Sequence, residues 1–297
     1  MMDIREEIEK RTRETEAIIR ARLPEADGYQ RTVIEAMNYS MLAGGKRLRP
    51  ILMLETYRMF GGRSEVIEPF MAAIEMIHTY SLVHDDLPAM DNDEFRRGKK
   101  TTHVVYGEAM AILAGDALLN YAYETALCAF DLEPENSGIP KALQILARKA
   151  GIYGMVGGQA VDIGPEGGCD MTREKLKIMY RLKTGALLES AMLIGAVLAG
   201  ATKREQKIIE ETAEAVGLAF QIQDDILDKT GIAEVTGKPV GSDEKNHKVT
   251  YVTLEGAGRA QEEVERISRE AVAHMESLVV RNEFLTELLC YLISRER

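Results

Sequence analysis

A chain of 297 residues with 45% hydrophobic side chains is long and apolar enough to bury a continuous core. Few segments alternate Val, Ile and Thr, whereas Ala, Leu, Met, Glu and Lys are plentiful, and this predicts an all-α fold. The formal net charge of -11 argues against a general nucleic-acid surface and means that an anionic substrate must be drawn in by local cations or bound metal.

From the N-terminus, Asp3 to Leu23 is charged and amphipathic and has no apolar core or cleavage site of a secretory signal, so export is not expected. Breaks rich in Gly and Pro at residues 23–28, 44–45, 61–62, 134–140, 164–168 and 231–241 delimit about ten helices. No linker, repeat or low-complexity run separates them, which predicts one large domain over residues 1–297. At the second break, Gly44-Gly45-Lys46-Arg47-Leu48-Arg49-Pro50 puts three cations on a short turn, a form in which backbone and guanidinium forks can approach a diphosphate closely.

The apolar helical run Phe70 to Val83 leads into His84-Asp85-Asp86-Leu87-Pro88-Ala89-Met90-Asp91-Asn92-Asp93-Glu94. In an unbroken helix Asp91 would be rotated by roughly 240° from Asp85, so the two could not serve one metal. Pro88 disrupts the helix at the preceding turn and lets the chain curl back. Arg96-Arg97-Gly98-Lys99 follows at once, so cations and carboxylates occupy adjoining turns; Lys183-Thr184-Gly185, Lys238 and Lys248 come later.

Ala186 to Ala201 is the most apolar stretch, but it is shorter than the ~20 residues that span a bilayer and contains Glu189, so it is read as a buried helix. A second acidic cluster, Phe220-Gln221-Ile222-Gln223-Asp224-Asp225-Ile226-Leu227-Asp228, keeps helical spacing, with Asp224 and Asp228 on one face and Gln221 a turn earlier. Carboxylates packed this closely repel one another unless cations sit among them, and oxygen-only ligands select a hard ion such as magnesium, which retains waters and shares ligands with phosphates. Val249 to Leu254 has strand propensity but nothing to pair with, so the helical context is given more weight.

Simpler readings compete. An isolated acidic run is ordinarily a solvated helix end, and a basic neighbour an ordinary surface ion pair, but two aspartate clusters alternating with cation groups fit that account poorly. Glu75-x-x-His78 and Glu244-x-x-His247 match the spacing of di-iron bundle ligands, although the second lies in a Gly/Pro/Asp-rich loop. Cys128, Cys169 and Cys290 are scattered, which suits a reducing cytoplasm better than disulfides or zinc.

Taken together, GGKRLRP at Gly44, DDLPAMDND at Asp85, RRGK at Arg96, GQAVD at Gly158, KTG at Lys183 and FQIQDDILD at Phe220 resemble, in the family's order, the trans-isoprenyl diphosphate synthases. The likeness is to the bacterial farnesyl/geranylgeranyl branch, whose first aspartate motif has the two extra residues seen here. It implies a single large helical bundle with a central apolar cavity, of isoprenoid synthase type. By the same resemblance Asp85, Asp86, Asp91, Asp224 and Asp228 hold Mg2+, three ions with substrate bound, on the allylic diphosphate. Arg96, Lys183 and Lys238 would contact that diphosphate, while Lys46, Arg49, His78 and Arg97 would hold isopentenyl diphosphate. Thr184 and Gln221 would present oxygens to the allylic cation, and the role of Lys248 in the 231–250 loop stays open.

The reaction implied is head-to-tail condensation of isopentenyl diphosphate with dimethylallyl or geranyl diphosphate to give farnesyl diphosphate. The enzyme would be a cytoplasmic homodimer with no nucleic-acid partner and no membrane span. Geranylgeranyl diphosphate synthase is the alternative; a terpene cyclase needs no second diphosphate site, and a non-catalytic partner subunit is expected to lack the acidic ligands. Aromatic Tyr80, with small Ser81 beside it, resembles the farnesyl pattern, although an aromatic in a buried helix is also ordinary core packing.

Overall fold

The structure, a computed structural model, describes residues 3–164, 171–230 and 249–294, and these are overwhelmingly helical. The chain divides into two compact units, Met1–Leu54 with Arg63–Leu143 and Glu55–Gly62 with Gln144–Arg297.

In the first unit α1 (Ile4–Ala21) starts at Asp3, whose carboxylate accepts from the backbone N–H of Arg5 and Glu6 and satisfies donors that the first turn leaves open. It is followed by α2 (Arg31–Met41), the start of α3 (Leu48–Met59) and α4 (Ile67–Asp85). Helix α4 is apolar on nearly every side: Phe70, Met71, Ala72, Ala73, Ile74, Met76 and Ile77 are fully buried. A helix of that composition belongs in the middle of a core, and α4 packs against α1, α2 and α6 (Glu108–Leu127). Between α4 and α6 come a small hairpin, α5 (Thr102–Tyr106) and then, after α6, α7 (Ala129–Leu132) and the start of α8 (Ile139–Ala150). The hairpin pairs Phe95 with Lys100 and Arg96 with Lys99. Its two turn residues, Arg97 and Gly98, both have positive φ (53° and 75°), the pairing that a two-residue type I′ turn requires.

The second unit contains α9 (Met155–Ile163), α10 (Arg173–Tyr180), a π-helical turn (Arg181–Gly185), α11 (Ala186–Leu198) and α12 (Lys203–Thr230). Short α13 (Tyr251–Glu255), α14 (Ala257–Ser277) and α15 (Glu283–Ser294) complete it. Helix α12 has 28 residues and is about 42 Å long. It is the axis of the unit, packing against α11, α14, α15 and the π-helical turn. Every residue of α11 is buried, as expected, including Glu189, which is neutralised by an ion pair with Lys149.

The strand propensity of 249–254 loses to its context: Thr250 and Thr253 form a reciprocal capping box that starts α13. Among the described residues no helix is long and apolar enough to cross a membrane. Cys169, Lys238, Glu244, His247 and Lys248 lie outside the described residues.

Candidate active site

The first aspartate cluster sits where α4 ends. The helix stops at Asp85, Asp86 caps it, and the Leu87 N–H reaches the His84 carbonyl at 3.2 Å. The chain then returns on itself, as Pro88 predicts: the Asp91 N–H donates to the Asp85 carbonyl at 2.8 Å, and Asn92, at φ 54°, donates to Leu87 at 3.1 Å. Asp85 is half-buried and Asp91 exposed. Asp86 is buried and accepts from Arg96 Nε at 2.7 Å and Nη2 at 2.6 Å. Burial pushes its carboxyl above the ordinary range, and the Arg96 hydrogen bond offsets only part of that. Asp86 and Arg96, to which the family resemblance gives separate roles, thus meet each other.

The basic turn sorts its three cations. Arg47, at φ 48°, turns inward, is buried, and donates to Glu75 at 2.8 Å and to the Met41 carbonyl at 2.6 Å, with Glu16 at 3.5 Å. It forms a buried ion pair that engages Glu75, the acidic member of the first Glu-x-x-His spacing. Lys46 is exposed. Arg49 is half-buried, and its Nε has neither solvent contact nor a hydrogen-bond partner.

Arg97 reaches back to the Gly44 carbonyl and lies over Gly45, where a Cβ would stand 2.5 Å from its Nη1. Gly45 also has φ 135°, so glycine is required there on both counts. Burial, and then the guanidiniums of Arg49, Arg97, Arg47 and Arg96, hold the His78 imidazole well below its usual pKa. The ring is therefore neutral at physiological pH and can donate an N–H without adding another charge. A small cleft in this unit is lined by Tyr39, Ser40, Thr79, Asp86, Arg96 and Arg97 among others.

In the second unit Lys183 and Thr184 are carried by the π-helical turn, an element often found at functional sites. Lys183 Nζ pairs with Asp162 at 2.5 Å, and the Thr184 hydroxyl donates to Gln221 Oε1 at 3.0 Å. The two residues expected to face the allylic cation are thus in contact.

The turn is hemmed in by glycines. A Cβ on Gly158 of α9 would stand 2.2 Å from the Lys183 nitrogen, and one on Gly217 of α12 would stand 2.9 Å from the Gly185 Cα. Asp224 and Asp228 are half-buried on α12, one turn apart. Asp225 between them is buried and accepts from the Tyr180 hydroxyl and the Tyr251 N–H.

Sequence reasoning assigned no role to Asp162, Gly158 or Tyr180. The GQAVD run was the available signal for the first two; nothing local marks Tyr180. Among the described residues no three His, Cys, Asp or Glu side chains converge on one point.

Residues 30–286 match the family model described as polyprenyl synthetase. The chain belongs to that family. This polyprenyl synthetase is 46% identical over 265 residues to the farnesyl diphosphate synthase of Geobacillus stearothermophilus, covering 88% of this chain and 87% of that protein. It is equally 46% identical to the geranylgeranyl diphosphate synthase of Cyanophora paradoxa, over 80% of this chain and 79% of that one. Among solved structures, an apo FPP/GFPP synthase from Zymomonas mobilis superposes with a TM-score of 0.87 at 32% identity, covering 98% and 99% of the two chains. The polyprenyl synthetase is a prenyltransferase that elongates prenyl chains, with the all-α fold of isoprenyl diphosphate synthases.

Proposed function

We propose that this prenyltransferase condenses isopentenyl diphosphate head to tail with dimethylallyl and then geranyl diphosphate, and that its main product is farnesyl diphosphate. The observation that carries the two-substrate reading is Arg49: its buried Nε lacks a partner, and it stands with Arg97 and neutral His78 in a unit-one cluster that has more cations than carboxylates. Burial lowers the Arg49 pKa, Glu75 raises it and Arg97 lowers it further, a balance that a bound diphosphate would reverse. A terpene cyclase has no use for such a site, and a silent subunit has no use for two aspartate clusters.

By the family resemblance Asp85, Asp86 and Asp91 in the first unit, and Asp224 and Asp228 in the second, would each supply oxygen donors suited to magnesium, with waters and diphosphate oxygens completing the shell. When bound, magnesium supplies positive charge against the departing diphosphate. Arg96 and Lys183, each now held by a carboxylate, add donors for the same group, and Lys238 is assigned with them. The C–O bond of the allylic diphosphate breaks with its electron pair going to diphosphate. The isopentenyl double bond then attacks the carbocation, and the released diphosphate takes the proton lost. Thr184 and Gln221 face the cation with oxygen lone pairs. Arg97→Gln is expected to raise the KM for isopentenyl diphosphate by about tenfold, the loss of one charge-assisted contact, with little change for the allylic substrate. Steady-state kinetics with each substrate varied would decide it, and equal effects on both would sink the two-site reading.

Product length rests on Tyr80. It lies five residues before Asp85 on α4, about 7.5 Å further along the axis. The ring is 6% exposed and meets His84 edge to face at 5.8 Å. Burial, then Tyr123 and Asp85, push the phenol up to about 12, so the ring stays neutral. A bulky neutral ring at this depth suits the floor of an apolar channel. Relatives named for both fifteen- and twenty-carbon products match equally well, so likeness does not choose between them. Tyr80→Ala is expected to shift the main product to twenty carbons or more, read by sizing products made with each allylic primer. A wild type that already makes chiefly the twenty-carbon product, or a variant with an unchanged distribution, would remove Tyr80 from this role. A cytoplasmic homodimer completes the proposal.

A further inference from the structure

We infer that Asp225, the middle carboxylate of the second aspartate cluster, is a positioning residue for the Lys183-Thr184 turn and not a ligand of the metal. The inference rests on the prenyl-transfer reading above. On α12 Asp225 is rotated by about 100° from Asp224 and about 60° from Asp228, so it sits at the edge of the face those two share. Its side chain is 9% exposed, and one oxygen, Oδ2, accepts from the Tyr180 hydroxyl at 2.6 Å and from the Tyr251 N–H at 2.7 Å. Both bonds are charge-assisted and short.

The two donors are informative. Tyr180, 5% exposed, is the last residue of α10 and immediately precedes the π-helical turn. Tyr251 is the first residue of α13. A single carboxylate oxygen therefore fastens α12, the entrance to the π-helical turn and the start of α13 at one point. On its other sides the turn is in backbone contact with Gly158 and Gly217, so the Tyr180 end is where its setting can be adjusted. Lys183 and Thr184 lie three and four residues beyond that end, and Thr184 bonds Gln221, one turn before Asp225 on the same helix. The loop from Asp225 through Tyr180 and Thr184 back to Gln221 is closed, and it fixes the height of the turn along α12. The metal-facing and turn-holding duties of the cluster are divided between neighbouring residues.

The test uses the full chain with Asp225→Asn, Tyr180→Phe and the double variant, compared with Asp224→Asn. Four quantities are read: kcat/KM for the allylic substrate, KM for isopentenyl diphosphate, the magnesium concentration at half-maximal rate, and amide hydrogen exchange across 181–185. A positioning role predicts that Asp225→Asn and Tyr180→Phe each lower allylic kcat/KM by about 10- to 100-fold, as an ångström-scale misplacement would. The isopentenyl KM stays near wild type, exchange in the turn quickens, and the double variant is no worse than Asp225→Asn alone. The magnesium requirement moves for Asp224→Asn only.

If Asp225→Asn instead raises the magnesium requirement as Asp224→Asn does while Tyr180→Phe behaves as wild type, Asp225 is a ligand and the inference falls. Should Asp225→Asn not fold, Tyr180→Phe decides alone, and wild-type kinetics and exchange in it overturn the idea. A wild type that makes no product from any primer would defeat the prenyl-transfer reading, whereas the exchange arm would still judge the tie between Asp225 and the turn.

Discussion

Replacing Asp85 or Asp224 by Ala is expected to lower turnover by about 10²- to 10³-fold or more, the scale seen when a group that meets charge developing in the transition state is removed. Each stands at a distinct place in the sequence-to-structure chain. Asp85 is the last residue of α4, half-buried, with the Asp91 backbone folded onto its carbonyl. Asp224 is half-buried in the middle of a 28-residue helix. Neither is buried enough for its loss to hollow a core, so stability should hold and the effect should appear in kcat and in the magnesium requirement. Turnover measured at limiting magnesium, alongside thermal unfolding, separates the two. Near-normal turnover in either variant would reject the two-cluster model.

Gly158→Ala is expected to be nearly as damaging from a position that carries no chemistry. The added methyl would stand 2.2 Å from the Lys183 nitrogen and 2.6 Å from its Cα. These are backbone atoms in a turn held from several sides, so neither partner can rotate away, and α9 must separate from the turn by roughly 1 Å. A displacement of that size at catalytic groups costs on the order of 10²-fold in rate, and overpacking of this kind costs about 1–3 kcal/mol of stability. Gly217→Ala is the graded comparison, because its methyl would stand 2.9 Å from the Gly185 Cα; its loss should be smaller in both respects. Denaturant titration and kcat on the same preparations provide the check, and wild-type turnover in Gly158→Ala would mean that the close approach does not hold the turn in place.

What the sequence made legible follows from how local the cause is. Pro88 lacks an N–H and clashes with the preceding turn whatever surrounds it, so the fold-back of Asp91 onto Asp85 could be read in advance. The shared face of Asp224 and Asp228 follows from helical period alone. Arg47 and Arg49 could not be sorted in this way. Their separate fates depend on the left-handed backbone at Arg47, which sends its guanidinium to Glu75, 28 residues along the chain and outside any local pattern. The pairing of Asp86 with Arg96 depends likewise on the hairpin turn at Arg97-Gly98. Thr184 and Gln221 were linked only by the role that family resemblance gave them, and their contact could not be foreseen, since nothing in residues 181–185 announces a π-helical turn.

Because that turn holds more residues per revolution than the α-helices on either side, deleting any one residue from 181–185 would leave a plain helix from Arg173 to Leu198. Five residues at about 4.4 per turn sweep nearly the same angle and length as four at about 3.6, so the segments before and after the deletion would keep their phase to within about 10° and a few tenths of an ångström. Tyr180 would stay close to Asp225, while the bulge that carries Lys183 and Thr184 would be lost. In this segment the number of residues is therefore as much a part of the site as their identity: a gap here removes the bulge and spares the helices around it, whereas a gap between Asp224 and Asp228 would turn one carboxylate by about 100° relative to the other.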